Sequence, residues 1–183
     1  MKIGVYSTKG GVGKSSIAFS IATDLGYNLY TNDMVDYLRK YKKAKFYTIL
    51  RDNDNTVYDF GGFRDKKADN FVEENLETII VPILNDVNSV TRALEAGRKF
   101  KHKKVIFVIN AVETKKDIEQ VKMVLNHYFE NPEILHLRKT NLFKSAMEKG
   151  ISPKEFAEKS FHKHVYKNIL TEYDKLLKRI KED

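Results

Sequence analysis

The 183-residue chain has no cysteine, no tryptophan and only three prolines. Without cysteine there is no disulfide framework, no thiolate metal site and no iron–sulfur cluster, and a reducing cytoplasm is the expected setting. No apolar run approaches the ~20 residues that a membrane-spanning helix needs. The first residues read as a strand entering a glycine loop, not as a signal peptide. No low-complexity linker or internal repeat interrupts the chain, and the five histidines lack metal-ligand spacing. What remains is 42% apolar and 32% charged, the balance of a folded globular chain. Its length suits one domain, residues 1–183, with a full hydrophobic core. A formal charge of +8 and a pI near 9.4 favour polyanionic partners, nucleic acid before membrane.

Short apolar runs alternate with longer amphipathic ones. Residues 2–7, 28–33, 45–51, 56–60, 78–84, 104–110 and 133–138 read as strands, the run TIIVPIL (78–84) most clearly through its β-branched residues. Pro82 within it is expected to terminate that strand. Residues 14–25, 89–100, 115–129, 141–149 and 153–159 read as helices, followed by a terminal one over about 162–181. Continuous apolar strands alternating with helices predict an α/β fold, a mostly parallel twisted sheet with helices on both faces. Ligands of such sheets bind beyond the carboxyl ends of the strands, and each motif below lies at such an end.

GGVGKSS (10–16) follows a strand and opens a helix, the setting that a phosphate-binding loop requires. Gly10, Gly11 and Gly13, with Val12 between them, allow the backbone to turn several N–H groups inward toward phosphate oxygens. The helix adds its positive N-terminal end. Lys14 reaches the β- and γ-phosphates in this reading, the Ser15 hydroxyl ligates Mg²⁺, and Ser16 meets the α-phosphate. Phosphoryl transfer also needs a metal-holding carboxylate. Asp59 ends the run TVYDF and suits that role. It begins Asp59-Phe60-Gly61-Gly62, in which the Gly62 N–H can sense a γ-phosphate and make the loop a switch. An ordinary Asp-Gly turn is the alternative.

KGGVGKSS (9–16) resembles the deviant Walker A loop, KGGxGK[ST], of the ParA/MinD ATPases, and the resemblance runs over nearly the whole chain. It implies a P-loop NTPase fold, ATP and Mg²⁺ as ligands, and a nucleotide-sandwich homodimer. In such a dimer Lys9 reaches across to the phosphates bound by the partner subunit; a solvated loop lysine is the alternative. Members usually carry two aspartates at the second strand end. Here Thr31 stands in the first place, and the role of orienting the attacking water falls on Asp33, with Asp36 the lesser substitute. A proline pair more often follows the Walker B aspartate than the glycines found here. Asn110, ending VIFVIN, matches an asparagine that contacts adenine, and its amide offers both a donor and an acceptor; a turn residue is the alternative. Arg138, Lys139 and Lys144 are placed by the same resemblance as surface cations near the dimer edge.

The tail puts Val165, Ile169, Tyr173, Leu176 and Ile180 on one helical stripe. Between 161 and 181, six Lys or Arg outnumber two acids, so the helix reads as one packed on the sheet with a basic outer face. A DNA-binding surface is compatible with that packing, while a stripe containing Tyr173 and acids makes a poor membrane anchor. The functional expectation is a short ParA-type partition ATPase, without an N-terminal helix-turn-helix before Met1–Ser7. It would dimerise on ATP, bind DNA without sequence preference, and be released by hydrolysis that a centromere-binding, ParB-like partner stimulates. It would be cytoplasmic and nucleoid-associated. A MinD-like membrane-cycling regulator is the alternative; Thr8, where MinD-like loops tend to have glycine, argues against it. A metabolic ATP-dependent enzyme on the same fold is a second alternative.

Overall fold

The computed structural model describes residues 1–32, 39–47, 50–60, 66–161 and 163–182. Among these, seven strands form one sheet: β1 (Lys2–Val5), β2 (Asn28–Thr31), β3 (Ala44–Phe46), β4 (Thr56–Asp59), β5 (Thr78–Ile83), β6 (Lys104–Val112) and β7 (Glu133–Arg138). Their spatial order is β3-β2-β4-β1-β5-β6-β7, and every pairing is parallel. The described helices are α1 (Lys14–Leu25), α2 (Lys66–Asn75), α3 (Val87–Lys99), α4 (Lys115–Tyr128), α5 (Leu142–Lys149), α6 (Pro153–Lys159) and α7 (Lys167–Lys181).

Strand side chains alternate between the two faces, and two apolar clusters follow. On one face Ile3, Val5, Leu29, Val57, Ile80, Ile106 and Val108 pack against α1, α5, α6 and α7. On the other Tyr6, Tyr58, Ile79, Val81, Phe107 and Ile109 meet α2, α3 and α4. Both faces are covered, which is why the central strands read as unbroken apolar runs. In α1 the residues from Ile17 through Ala22 are all buried. A helix enclosed on every side sits in the core, here between the sheet and α5 and α6.

Several boundaries differ from expectation. β3 covers 44–46, not 45–51. α2 lies where no helix was expected, because its sequence KKADNFVEEN is mostly polar and only Ala68, Phe71 and Val72 are buried in it. Pro82 lies inside β5. Ile80 accepts from the Tyr6 N–H on the β1 side, where β1 ends, so a residue lacking an N–H two positions on interrupts no ladder there. β6 runs on to Val112 through a register shift after Ile109.

The tail also needs correction. Residues 163–166 form a 3₁₀ turn and α7 begins at Lys167. Val165 is therefore off the stripe, 63% exposed, while Ile169, Tyr173, Leu176, Leu177 and Ile180 are buried. Glu172 joins them, 8% exposed. Its Oε1 accepts from Nε (2.9 Å) and Nη2 (2.6 Å) of Arg138, and its Oε2 from the Arg138 backbone N–H (2.9 Å). His136 lies 3.6 Å from the same carboxylate, but burial lowers its pKa below the ordinary value, so Arg138 carries the balancing charge. α7 is thus fastened to the end of β7 by apolar packing and one forked ion pair. Arg138 is a surface cation as expected, its side chain 48% exposed, and it is held in that pair.

Removing a carboxylate that satisfies three buried or half-buried donors should be costly. Glu172→Ala is expected to lower stability by about 2–3 kcal/mol and Leu176→Ala by about 2–5 kcal/mol, whereas Val165→Ser should stay within about 0.5 kcal/mol of the parent. Urea unfolding of the three variants checks the order.

Candidate functional site

Parallel pairing brings all seven carboxyl ends to one edge of the sheet. The loop 6–13 leaves β1 there and turns into α1. Val5 is in register with Asp59 of β4, which is in turn in register with Thr31 of β2. The glycine loop, Asp59 and Thr31 are therefore neighbours across three adjacent strands, as the sequence predicts for the loop and Asp59.

Within the loop Gly11 (φ 76°) and Gly13 (φ 89°) occupy the left-handed region. Gly13 is also the residue preceding α1, where no side chain caps the helix and the first turn holds no acid. By contrast α3, α4 and α6 are capped by Asp86, Thr114 and Ser152. The start of α1 thus lacks the side-chain cap those helices carry, and its positive end lies behind the loop. Gly10 and Gly11 are exposed, while the Val12 side chain is fully buried and anchors the loop. Lys14 is 7% exposed, and its ammonium donates to the Lys9 carbonyl at 2.9 Å, closing the loop on itself. The Lys9 N–H is held by the Ser7 hydroxyl at 3.2 Å. Ser15 and Ser16 are half-buried at the start of α1, and the Ser16 carbonyl accepts from the Ser20 hydroxyl at 2.6 Å. This cradle of amides with an ammonium suits an anionic oxygen-rich ligand.

Asp59 is 1% exposed, and its Oδ2 lies 3.4 Å from the Thr31 hydroxyl. Its position fits a Mg²⁺ site of the kind completed by phosphate oxygens and water, with Ser15 as the second protein oxygen. No cluster of three or more His, Asp or Glu that could hold a metal by itself occurs among the described residues. Thr31, noted in the sequence as a departure, thus has a visible contact: a hydroxyl beside the carboxylate where a second acid would repel it. Asp33, Asp36, Gly61 and Gly62 lie outside the described residues.

Asn110 reaches the loop from β6. Its Nδ2 donates to the Val12 carbonyl at 2.9 Å, a tie across 98 positions of sequence that no local pattern announces. Of the other cations singled out, Lys139 pairs with Glu113 at 2.5 Å, which holds its ammonium above the ordinary value, and Lys144 lies 3.8 Å from Glu148.

No family model matches the chain, and no curated protein matches it in sequence. Solved structures do match in fold. McdA of Cyanothece, in an ATP complex, aligns over 96% of this chain and 95% of its own at 10% identity and a TM-score of 0.65. The septum site-determining protein MinD of Pyrococcus horikoshii, complexed with Mg-ADP, aligns over 96% of each at 13% identity and a TM-score of 0.60. A putative plasmid partition protein of Borrelia burgdorferi, bound to AMPPNP, covers 95% of this chain and 98% of its own at 14% identity and a TM-score of 0.62. The fold is therefore the P-loop NTPase fold of the ParA/MinD ATPases.

The loop's geometry makes Gly13 a sharp test. A Cβ there would lie 2.4 Å from Asn110 Nδ2 on a backbone that L-residues rarely adopt. Gly13→Ala is expected to cost about 1–3 kcal/mol, read by urea unfolding, with a larger change in anion binding than any change made at exposed Gly10.

Proposed function

We propose that this chain is an ATPase of the ParA/MinD family, of the ParA-like partition type. One observation carries the reading: an uncapped, glycine-built loop at the end of β1 lies in register with a buried aspartate at the end of β4. The near full-length fold match to McdA in its ATP complex and to a putative plasmid partition protein bound to AMPPNP supports it.

In this reading the loop amides from Gly10 to Ser16 hold the phosphates, and Lys14 exchanges the Lys9 carbonyl for phosphate oxygens. Ser15 and Asp59 hold Mg²⁺, which when bound neutralises phosphate charge and orients the leaving group. The Thr31 hydroxyl keeps the Asp59 carboxylate oriented. Asp33 positions the attacking water, and Gly62 reports the γ-phosphate to the segment that follows. Asn110 faces the adenine with the part of its amide not given to Val12. Lys9 acts on the phosphates of a partner subunit, so that hydrolysis requires the dimer. The ATP-bound dimer binds DNA through phosphate contacts, and a centromere-binding partner triggers its release. We place the protein in the cytoplasm, on the nucleoid.

The tail favours this over membrane cycling. The apolar side chains of α7 point into the sheet and Lys175, Lys178 and Lys181 are exposed. Phe161 and Val165 are exposed ahead of it, but two separate side chains supply little of the apolar area an interfacial helix needs. No described helix is long and apolar enough to cross a membrane.

With ATP the protein should have the mass of a dimer and retain random-sequence DNA; with ADP it should be a monomer. Lys9→Ala should abolish the ATP-dependent dimer and reduce hydrolysis roughly 100-fold. DNA retention should fall about a thousandfold between 50 and 200 mM salt if some six phosphates are contacted. Sedimentation and filter retention provide the readouts. Unchanged dimerisation in Lys9→Ala rejects the action across subunits, and retention by anionic vesicles in place of DNA rejects the partition reading.

A further inference from the structure

Asn110 stands at an irregular point of the sheet. β6 pairs regularly with β7 through Ile109 and resumes at Val112, with Asn110 and Ala111 between. Ala111 adopts φ 55°, the left-handed region that a residue with a Cβ enters at a cost. Such a bulge re-aims a side chain. The side chain re-aimed here is Asn110, whose amide meets the loop at the Val12 carbonyl, 2.9 Å away. The contact is close enough that the glycine following Val12 has no room for a Cβ.

A trans peptide is a rigid plane in which C=O and N–H point opposite ways. A hydrogen bond that fixes the Val12 carbonyl on the Asn110 side therefore fixes the Gly13 N–H on the other side. Left alone, a peptide between a buried valine and a glycine can rotate as a unit, because glycine tolerates both hands of φ. The Val12 side chain anchors one end of that unit, and the Asn110 amide sets its rotation.

We propose that Asn110 is a positioning residue for the phosphate cradle: by holding the Val12 carbonyl it keeps the Gly13 N–H turned toward the phosphates. The proposal rests on the reading of the loop as a nucleotide site. It gives Asn110 a role separate from any contact with the base. One N–H of its amide serves the loop. The bulge at Ala111 is the structural cost of placing it there.

The discriminating probe is inorganic tripolyphosphate, which has phosphates and no base. ATP and tripolyphosphate, each with Mg²⁺, would be titrated calorimetrically into the parent protein, Asn110→Ala and Asn110→Asp. Loss of one intramolecular hydrogen bond predicts an affinity loss of about five- to tenfold for both ligands in Asn110→Ala. Asn110→Asp, which keeps the shape but offers the Val12 carbonyl an acceptor, should lose at least as much. In the nucleotide-free protein, the residual dipolar coupling of the Gly13 N–H bond, which reports its orientation, should change in both variants while the couplings of the strands do not. If ATP binding weakens and tripolyphosphate binding does not, Asn110 acts on the base alone and the proposal is overturned. An unchanged coupling at Gly13 overturns it as well. A parent protein that binds neither ligand would instead reject the nucleotide-site reading, and the coupling would still decide whether Asn110 orients the loop.

Discussion

The parallel pairing of β1 between β4 and β5 is the constraint on which the rest depends. β1 is only four residues long, but Ile3 and Val5 are claimed by the α1 side, and Tyr6, just past its end, by the α3 side. A slip of one residue would exchange those faces and strand the apolar set. The position of the first loop residue is therefore decided by core packing, far from any ligand. The same holds at the loop's other end, since α1 is enclosed by the sheet, α5 and α6. A binding loop hung between two elements with so little freedom needs few interactions of its own to be precise in shape. Among the described residues three of these are backbone-directed: Lys14 on the Lys9 carbonyl, Ser7 on the Lys9 N–H, Asn110 on the Val12 carbonyl.

Electrostatics at this edge is arranged with equal economy. A carboxylate as buried as Asp59 is costly unless it is hydrogen-bonded or paired. Parallel register sets Thr31 directly beside it. With a second acid in that place, two carboxylates would share a buried strand end and one would resist ionising. The Thr31 hydroxyl instead donates to the Asp59 carboxylate and adds no charge of its own. The exchange of acid for threonine thus alters the charge balance of the site without disturbing the sheet.

The alternation of apolar runs with amphipathic ones was enough to place all seven strands and six of the seven described helices, because strands buried on both faces are written plainly in β-branched residues. α2 escaped since its helix-forming pattern, Ala68 then Phe71 and Val72, is brief and set among charges. The glycine loop and Asp59 were legible because backbone chemistry restricts which residues can serve there. Asn110 was expected to end its strand, whereas β6 runs on to Val112, and its bond to Val12 was not legible, for the partner lies across the sheet and depends on a bulge that Asn-Ala does not signal. Arg138 was legible as a surface cation, but its pairing was not, because the helix that brings Glu172 must first be folded against it.

That last pairing bears on how the molecule can meet other surfaces. α7 spends Ile169, Tyr173, Leu176, Leu177 and Ile180 on the sheet and Glu172 on Arg138. One of the helix's two acids is therefore withdrawn into the core, while Asp174 stays exposed and pairs with Lys154 at 2.7 Å. Its outer face retains lysines, of which Lys178 lies 3.7 Å from Glu182, while Arg179 is tied to Glu133 and Glu182. Folding thus separates the helix into an apolar side used for stability and a basic side left to solvent. Attraction of a polyanion to such a side is electrostatic, weakly directional and screened by salt. A surface of this kind can attract a charged polymer without reading its sequence.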